Sequence, residues 1–452
     1  MTWPAELAAA LTGCAVDVDP DVVASFSRDQ APLASAGLAG ALVRARSIEH
    51  VTTTLRFANE RGIPVVTRGA GTGLAGGANA LDGCILLSVA ALDRIVNIDV
   101  PTRTAVVEPG VLNATLAAEA AARGLYYAPD PASRDISTLG GNIATNAGGA
   151  CCLKYGVTGD HVAALKVALA DGTLIETGAI TAKNVAGLDL TRLFVGSEGT
   201  LGVIVEATLR LLRAPLPPAT LVGFFDTLEA AGNAIVAMEA SADLSLLEVM
   251  DGTTVRAVEA LTRMGLDTSA AAMVIAQSNA PGAMAVIERC NALCEEYGAR
   301  DVACSDDPAE GKMLLAARRM ALPALEKMGT TLLDDVAVPR PALATMMARI
   351  AAIAARRDLV IGTFGHAGDG NLHPTIVFDG RDDSSRARAF EAFDEIVHAA
   401  LALGGTITGE HGVGSLKQRY VGEMVGGAAQ ALMRGIKGVF DPRGILNPGR
   451  GF

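Results

Sequence analysis

The apolar positions of IEHVTTTLRFANERG (48–62) recur at helical spacing, and the run ends at Gly62. The β-branched IPVVT (63–67) then predicts a short strand leading into RGAGTGLAGGA (68–78). Alternating patterns around polar turns predict two hairpins, RIVNID with TRTAVVEP across 99–103 and HVAALKVALA with TLIETG around Asp171–Gly172. FVGSEGTLGVIVEATLRLL (194–212) predicts a turn running into a further strand. Beyond Pro215, Pro217 and Pro218 the character changes. TLVGFFD (220–226), MVIAQSN (273–279) and LVIGTFG (359–365) predict strands, while LEAAGNAIVAMEA, AMAVIERCNALCEEYG and ALATMMARIAAIAARR predict helices. This alternation predicts an α+β region, an antiparallel sheet with helices covering one face. Cys290 and Cys294, four apart on one helix, read as core.

Two glycine-rich tracts interrupt the first half. In 68–78, glycines at 69, 71, 73, 76 and 77 let backbone N–H groups converge on an anion without Cβ obstruction. A flexible turn explains the same pattern equally well. The loop opens no regular helix with an acid about 20 residues on, so a nicotinamide-type Rossmann site fits poorly, and no Gly-Lys-Ser/Thr follows it. The second tract, PDPASRDISTLGGNIATNAGGACCLKYGVTGD (129–160), reads as a long ordered loop, a kind that is usually functional. With the turn at 194–202, three backbone-exposing loops suggest a large, extended, diphosphate-bearing ligand.

The chain has six histidines, and His366, His373 and His411 fall in GHAGDGNLHP (365–374) and TGEHGVG (408–414). LVIGTFG and LHPTIVF flank the turn HAGDGN, so a hairpin places His366 and His373 near its mouth. Glu410, from the strand-like GTITGEHG, completes a two-imidazole, one-carboxylate set that leaves coordination positions open, as a catalytic metal requires. Glycine-rich hairpins also collect polar residues without any metal. Asp369 and Asn371 read as turn formers or as groups orienting the ligands.

Composition narrows the classes. A chain of 452 residues, half of them hydrophobic and 19% charged, predicts two or three packed domains. A net charge of −12 argues against nucleic acid as a partner. Seven irregularly spaced cysteines suit a reducing compartment, and no run of the iron–sulfur type occurs. The start lacks a basic n-region and no apolar stretch reaches membrane-span length, so the expectation is a cytoplasmic protein.

RGAGTGLAGGA, the DPASRDISTLGGNIATNAGG…KYG tract and VGSEGTLGVI resemble the flavin-binding domain of the vanillyl-alcohol oxidase/p-cresol methylhydroxylase superfamily. GHAGDGNLHP, GEHGVG and FDPRGILNPGR (440–450) narrow the resemblance to FAD-dependent D-2-hydroxy-acid dehydrogenases, the group of glycolate oxidase D subunits, D-lactate dehydrogenases and D-2-hydroxyglutarate dehydrogenases. It implies an α+β protein with a two-subdomain FAD-binding domain over 1–215, an α+β cap with an antiparallel sheet over 216–408, and a C-terminal segment, 409–452, returning to the flavin site. The flavin residues it implies are Arg68, Gly69, Gly71, Thr72, Gly73, Leu74, Gly76, Pro129, Asp130, Thr138, Gly140, Gly141, Asn142, Ala144, Thr145, Asn146, Gly149, Tyr155, Gly156, Glu198, Gly202, Ile204 and Asn447. Thr72 stands where covalently flavinylated members often have a histidine, so FAD is expected without a covalent link. Cys151 and Cys152 lie near this set.

The same resemblance assigns a divalent metal, zinc in the first place with iron or manganese as alternatives, to His366, His373 and Glu410. It puts His411 at the substrate and flavin, and Arg318 on the substrate carboxylate, with Arg340 a second candidate; a solvated surface arginine is the alternative for each. Physically, a metal holding the hydroxyl and carboxylate oxygens lowers the hydroxyl pKa, and a neutral histidine beside it can take the proton as hydride leaves for the flavin. D-2-hydroxyglutarate dehydrogenases have a lysine near Leu333 and an asparagine near Thr375. Both are absent here, which favours glycolate or D-lactate as substrate class. The electron acceptor is expected to be separate: a quinone, a cytochrome, an electron-transfer flavoprotein or an iron–sulfur subunit. A homodimer is also compatible with the sequence.

Overall fold

The computed structural model describes residues 2–452. They group into two compact units, one of residues 2–148, Val157–Ala214 and Glu410–Phe452, the other of Gly149–Gly156 and Pro215–Gly409. No helix among the described residues is long and apolar enough to cross a membrane.

The first unit contains two main sheets. In one, Ala41–Arg44 and Val65–Arg68 both pair parallel to Ile85–Ser88, and Ala15–Asp17 adds an antiparallel edge. The helix Ile48–Arg61 makes the crossover. Ser47 caps its start by accepting from His50 N, and Gly62 ends it at φ +68°, a left-handed position that favours glycine. The other sheet is antiparallel, in the order Ile95–Asp99, Thr104–Val107, Val203–Arg210, Val162–Ala168, Leu174–Gly178. Alternation along Val203–Arg210 serves two cores. Val203 and Val205 join the cluster around the crossover helix, while Ile204 joins a second cluster with Leu139, Ile143 and Phe194.

The tract 129–160 differs from its reading as a loop. Leu139–Thr145 is a helix, closed by Asn146 at φ +53°, and Cys152–Tyr155 forms a further turn of helix. Glycine disfavours helix locally, but Gly140 packs where a Cβ would lie 2.5 Å from Pro109 Cβ, so tertiary packing overrides propensity.

The second unit is built on one antiparallel sheet, ordered Ala299–Ser305, Ala219–Phe225, Ala272–Ser278, Leu246–Asp251, Val360–His366, Asn371–Phe378 and Thr330–Leu333, with Val336–Ala337 also pairing to Asn371–Phe378. Helices cover both faces, not one. Val222, Leu246, Met250 and Phe364 point into a core shared with Val255, Val258, Ala317 and Leu325. The alternate position Gly223 faces the opposite way, where a Cβ would lie 3.7 Å from Cys294 Sγ on the helix Ala283–Glu296. The strands explain why: all seven residues of Ala272–Ser278 are buried, so neither face of the sheet is left to solvent. GTITGEHG is not a strand either. It contributes one bridge, Thr406 to Ala337, and Gly405 lies so close that a Cβ would sit 2.2 Å from Ala337 O.

Candidate functional site

In the first unit the glycine loop leaves the strand Val65–Arg68 and is held from below by the C-terminal segment. Asn447 Nδ2 donates to Gly77 O at 2.9 Å and to Glu198 O at 2.7 Å, and Arg450 Nε donates to Gly76 O at 2.9 Å. Ser415 N and Leu416 N donate to Ala75 O. Glu198, buried and at φ +51°, accepts from Val413 N and Gly414 N, each at 2.7 Å. Burial raises its carboxyl above the ordinary range, and these two N–H groups oppose the rise. Arg68 is buried, donates to Arg28 O at 2.8 Å, and has its pKa lowered by desolvation.

The loop packs tightly on its neighbours. A Cβ on Gly69 would lie 2.2 Å from Thr138 Oγ1, and one on Gly71, at φ +75°, would strike the Arg68 guanidinium. Thr72, Gly73 and Leu74 complete this stretch of loop. Thr138 precedes the helix Leu139–Thr145, which carries Gly141, Asn142 and Ala144. Ala144 O accepts from Glu198 N, Thr145 Oγ1 donates to Gly141 O, and Asn146 Oδ1 accepts from Gly159 N. Pro129 O accepts from Asn113 Nδ2. Gly202 packs against Val167, and Ile204 belongs to the core.

Five buried atoms around these loops, Ser137 Oγ, Thr138 Oγ1, Asn142 Nδ2, Ser415 Oγ and Asn447 Oδ1, have no hydrogen-bond partner among the described residues. Orphans so concentrated fit a polar ligand whose atoms complete them. The loops therefore fit a dinucleotide. Ser137 and Ser415 were not singled out by sequence, because a lone serine in a glycine-rich tract carries no distinguishing pattern.

In the second unit the hairpin Val360–His366/Asn371–Phe378 carries both imidazoles. Register pairs His366 with Asn371 and Phe364 with His373, so the two histidines are diagonal neighbours on one face. Their ring centroids are 5.2 Å apart, nearly perpendicular. Both are buried. Asp369 Oδ1 accepts from Asn371 N at 3.2 Å, the turn-forming contact expected of it.

Two acids that sequence analysis missed organise this face. Glu248, 1% exposed on the neighbouring strand, accepts from His366 Nδ1 at 2.6 Å through Oε1 and pairs with Arg318 Nε at 2.7 Å through Oε2. The Arg318 guanidinium also lies over the Phe364 ring, 4.6 Å from its centroid. Asp335, also buried, accepts from Asn371 Nδ2 (2.7 Å), Thr408 Oγ1 (2.6 Å) and Gly409 N (2.8 Å), and lies 3.7 Å from His373 Nδ1. Each acid interrupts an apolar run, LSLLEVM and LLDDVAV, and that is the signal that could have found them. A carboxylate accepting from one imidazole N–H fixes the tautomer and leaves an unprotonated lone pair on the other nitrogen, the usual preparation of a metal-binding histidine.

Gly409, the last residue of this unit, cannot carry a side chain: a Cβ would lie 2.1 Å from Asn371 Nδ2. Glu410 follows it, with its Oε1 3.8 Å from His411 Nε2. Tyr155, Gly149 and Gly156 belong to the second unit, where Tyr155 Oη accepts from Asn279 Nδ2 at 2.7 Å. Cys151 and Cys152 are half-buried in the same stretch. Arg340 begins a short helical turn and pairs with Glu239 at 2.7 Å while remaining 44% exposed. Cys290 and Cys294 are buried thiols, and Cys294 Sγ lies 3.8 Å from Met238 Sδ.

Comparison with known proteins gives these sites a context. Residues 39–178 match the FAD binding domain model, and residues 216–450 match the model for the C-terminal domain of FAD linked oxidases. Glycolate oxidase subunit GlcD of Bacillus subtilis is 42% identical over 416 residues, covering 91% of this chain and 88% of its own. D-lactate dehydrogenase of Anaerostipes hadrus is 34% identical over 446 residues, covering 96% and 94%. Among solved structures, p-cresol methylhydroxylase with substrate bound superposes with a TM-score of 0.82 at 18% identity, covering 99% of this chain and 96% of that one. Matched along both halves, the chain belongs to the FAD-linked oxidase family and is a flavin-dependent oxidoreductase.

Proposed function

We propose that this protein oxidises a small D-2-hydroxy acid, of the glycolate or D-lactate type, to the 2-oxo acid. The observation that carries the reading is the imidazole pair joined through buried Glu248 to a guanidinium, which sets a metal-ligand pair beside a carboxylate anchor. The functions named for the Bacillus and Anaerostipes relatives agree with it. Bound FAD, held without a covalent link since Thr72 is no tether, would accept the substrate's C2 hydride. A divalent cation on His366, His373 and Glu410, zinc in the first instance, would supply Lewis acidity at the substrate hydroxyl.

The remaining work falls to side chains. Arg318 binds the substrate carboxylate through its terminal nitrogens, its Nε being committed to Glu248. His411 takes the hydroxyl proton, so that one proton goes to imidazole and two electrons leave with the hydride. Glu248 holds His366 in the tautomer that can coordinate, and Asp335 holds Asn371 and the backbone of Gly409 immediately before Glu410. The electrons then pass to a separate acceptor; the name of the Bacillus relative, a subunit, supports a protein acceptor.

A D-2-hydroxyglutarate substrate is disfavoured by one further pairing. Leu333 and Thr375 are register partners, and Thr375 shares the face of His373 two residues away. Neither offers charge to a distal carboxylate. The test is a panel of glycolate, D-lactate, L-lactate and D-2-hydroxyglutarate, read by flavin bleaching and dye reduction with the purified protein. Bleaching by glycolate or D-lactate is expected; preference for D-2-hydroxyglutarate refutes the size class, and no bleaching by any of the four refutes the function. His411→Asn should keep FAD and metal yet slow flavin reduction by a factor of about 10² to 10⁴. An unchanged rate would assign the proton transfer elsewhere.

A further inference from the structure

The strand that ends in His366 begins at a cavity. Val360 and Ile361 line a hollow of about 800 Å³ in the second unit. Five residues further along the same strand, roughly 17 Å at the usual rise, stands His366. The hollow therefore forms no part of the hairpin's histidine face. Its walls come from three helices, Gly252–Thr262, Ala321–Glu326 and Leu343–Arg357.

The lining has two chemistries. Ala257, Ala324, Ile350 and Ile361 make a buried apolar floor. Around the opening Leu261, Met328 and Val360 are 38, 51 and 42% exposed. Large apolar side chains gathered about a concavity mark a binding surface more often than scattered ones do, and the volume lies in the range of small-molecule sites. Arg256 and Lys327 add two exposed cations in a protein whose net charge is −12. One acid, Asp251, also lines the hollow. It is engaged as the cap of the helix Gly252–Thr262, accepting from Thr254 N at 2.8 Å, so its charge faces the positive end of that helix.

An apolar floor with cations at the rim matches a ligand having an apolar body and one anionic end. We propose that this hollow is a second ligand site, specific for an aliphatic monocarboxylate and separate from the site of hydroxy-acid oxidation. The proposal does not depend on the identity of the oxidised substrate.

The experiment is calorimetric titration of the FAD-loaded full-length protein with decanoate, and with decanol and decylamine as comparators. Decanoate should bind saturably, and decanol more weakly by about tenfold or more, since a charge-assisted contact is lost. The double variant Arg256→Glu/Lys327→Glu, at exposed positions, should weaken decanoate by at least about tenfold. Ala260→Trp, which fills the hollow from its exposed rim, should abolish binding while circular dichroism and dye reduction stay normal. Three results overturn the proposal: no saturable decanoate binding to the parent protein, decylamine binding as tightly as decanoate, or undiminished binding by the charge-reversed protein. The last result stands on its own if Ala260→Trp fails to fold.

Discussion

Glu198 in the first unit and Glu248 in the second are both buried carboxylates at the centre of a candidate site, and they are neutralised in different ways. Glu198 is held by backbone N–H groups of Val413 and Gly414, while Glu248 is held by the side chains of His366 and Arg318. A backbone clamp fixes the path of a loop and does not depend on which side chains the loop carries. A side-chain clamp fixes orientation and tautomer, and fails when one partner changes. The first suits the cradle of a large cofactor. The second suits groups that must hold a metal and a substrate at set angles.

The largest effect should come from emptying the proposed metal site. Chelation, or His373→Ala, should lower kcat by about 10³ or more, because Lewis acidity worth several kcal/mol is lost. The flavin-to-protein ratio should not change. Turnover surviving in a metal-free preparation, checked by atomic absorption, would remove the metal from the mechanism.

Reciprocal substitutions sharpen the contrast. Glu248→Ala leaves the half-buried Arg318 guanidinium without its partner, a loss of up to about 3 kcal/mol in stability, and should weaken metal binding about ten- to hundredfold with FAD retained. Glu198→Ala leaves two N–H groups without acceptors, about 1–3 kcal/mol each, and should release FAD. Denaturant titration, flavin absorbance and metal affinity together decide it. FAD loss from Glu248→Ala, or FAD retention by Glu198→Ala, would erase the distinction.

Asp251 offers a smaller test, as a half-buried acid whose backbone partner, Thr254 N, belongs to the helix it caps. Burial pushes its carboxyl from 3.8 up to about 6, against the pull of its bonds to Thr254. The fold thus prefers the protonated form: that contribution is complete below about pH 3.8 and is lost as pH rises through about 6. It amounts to at most about 3 kcal/mol, and less where the hollow admits water. Asp251→Asn should flatten the stability profile between these values and gain stability at neutral pH. An unaltered profile would assign the slope to other groups.

How much of this was legible follows the range of the interactions. The helix at 48–62, the glycine loop and the His366/His373 hairpin are local patterns, and sequence alone located them. Glu248 and Asp335 were not found, because their meaning lies in partners far along the chain: Glu248 meets His366 at a separation of 118 residues. The helix Leu139–Thr145 was read as loop because its glycines argue against helix until Pro109 packs on Gly140. The strand-like reading of GTITGEHG failed for the opposite reason: its β-branched residues find only one bridge. Helices on the second face of the sheet were missed where strands buried on both sides lose their alternation.

The thread of the chain has a consequence for biosynthesis. The glycine loop is held by residues up to 374 positions away, as between Arg450 and Gly76, and Val65 bridges to Leu446. Nearly all of the second unit, by contrast, is one uninterrupted stretch, Pro215–Gly409. On a ribosome that stretch can close its sheet as soon as it emerges, whereas the earlier-made unit must wait, its cofactor loop unclamped, until residues 410–452 have been made. Order of synthesis and order of completion of the two units are therefore reversed, and flavin capture is expected only after that segment has docked.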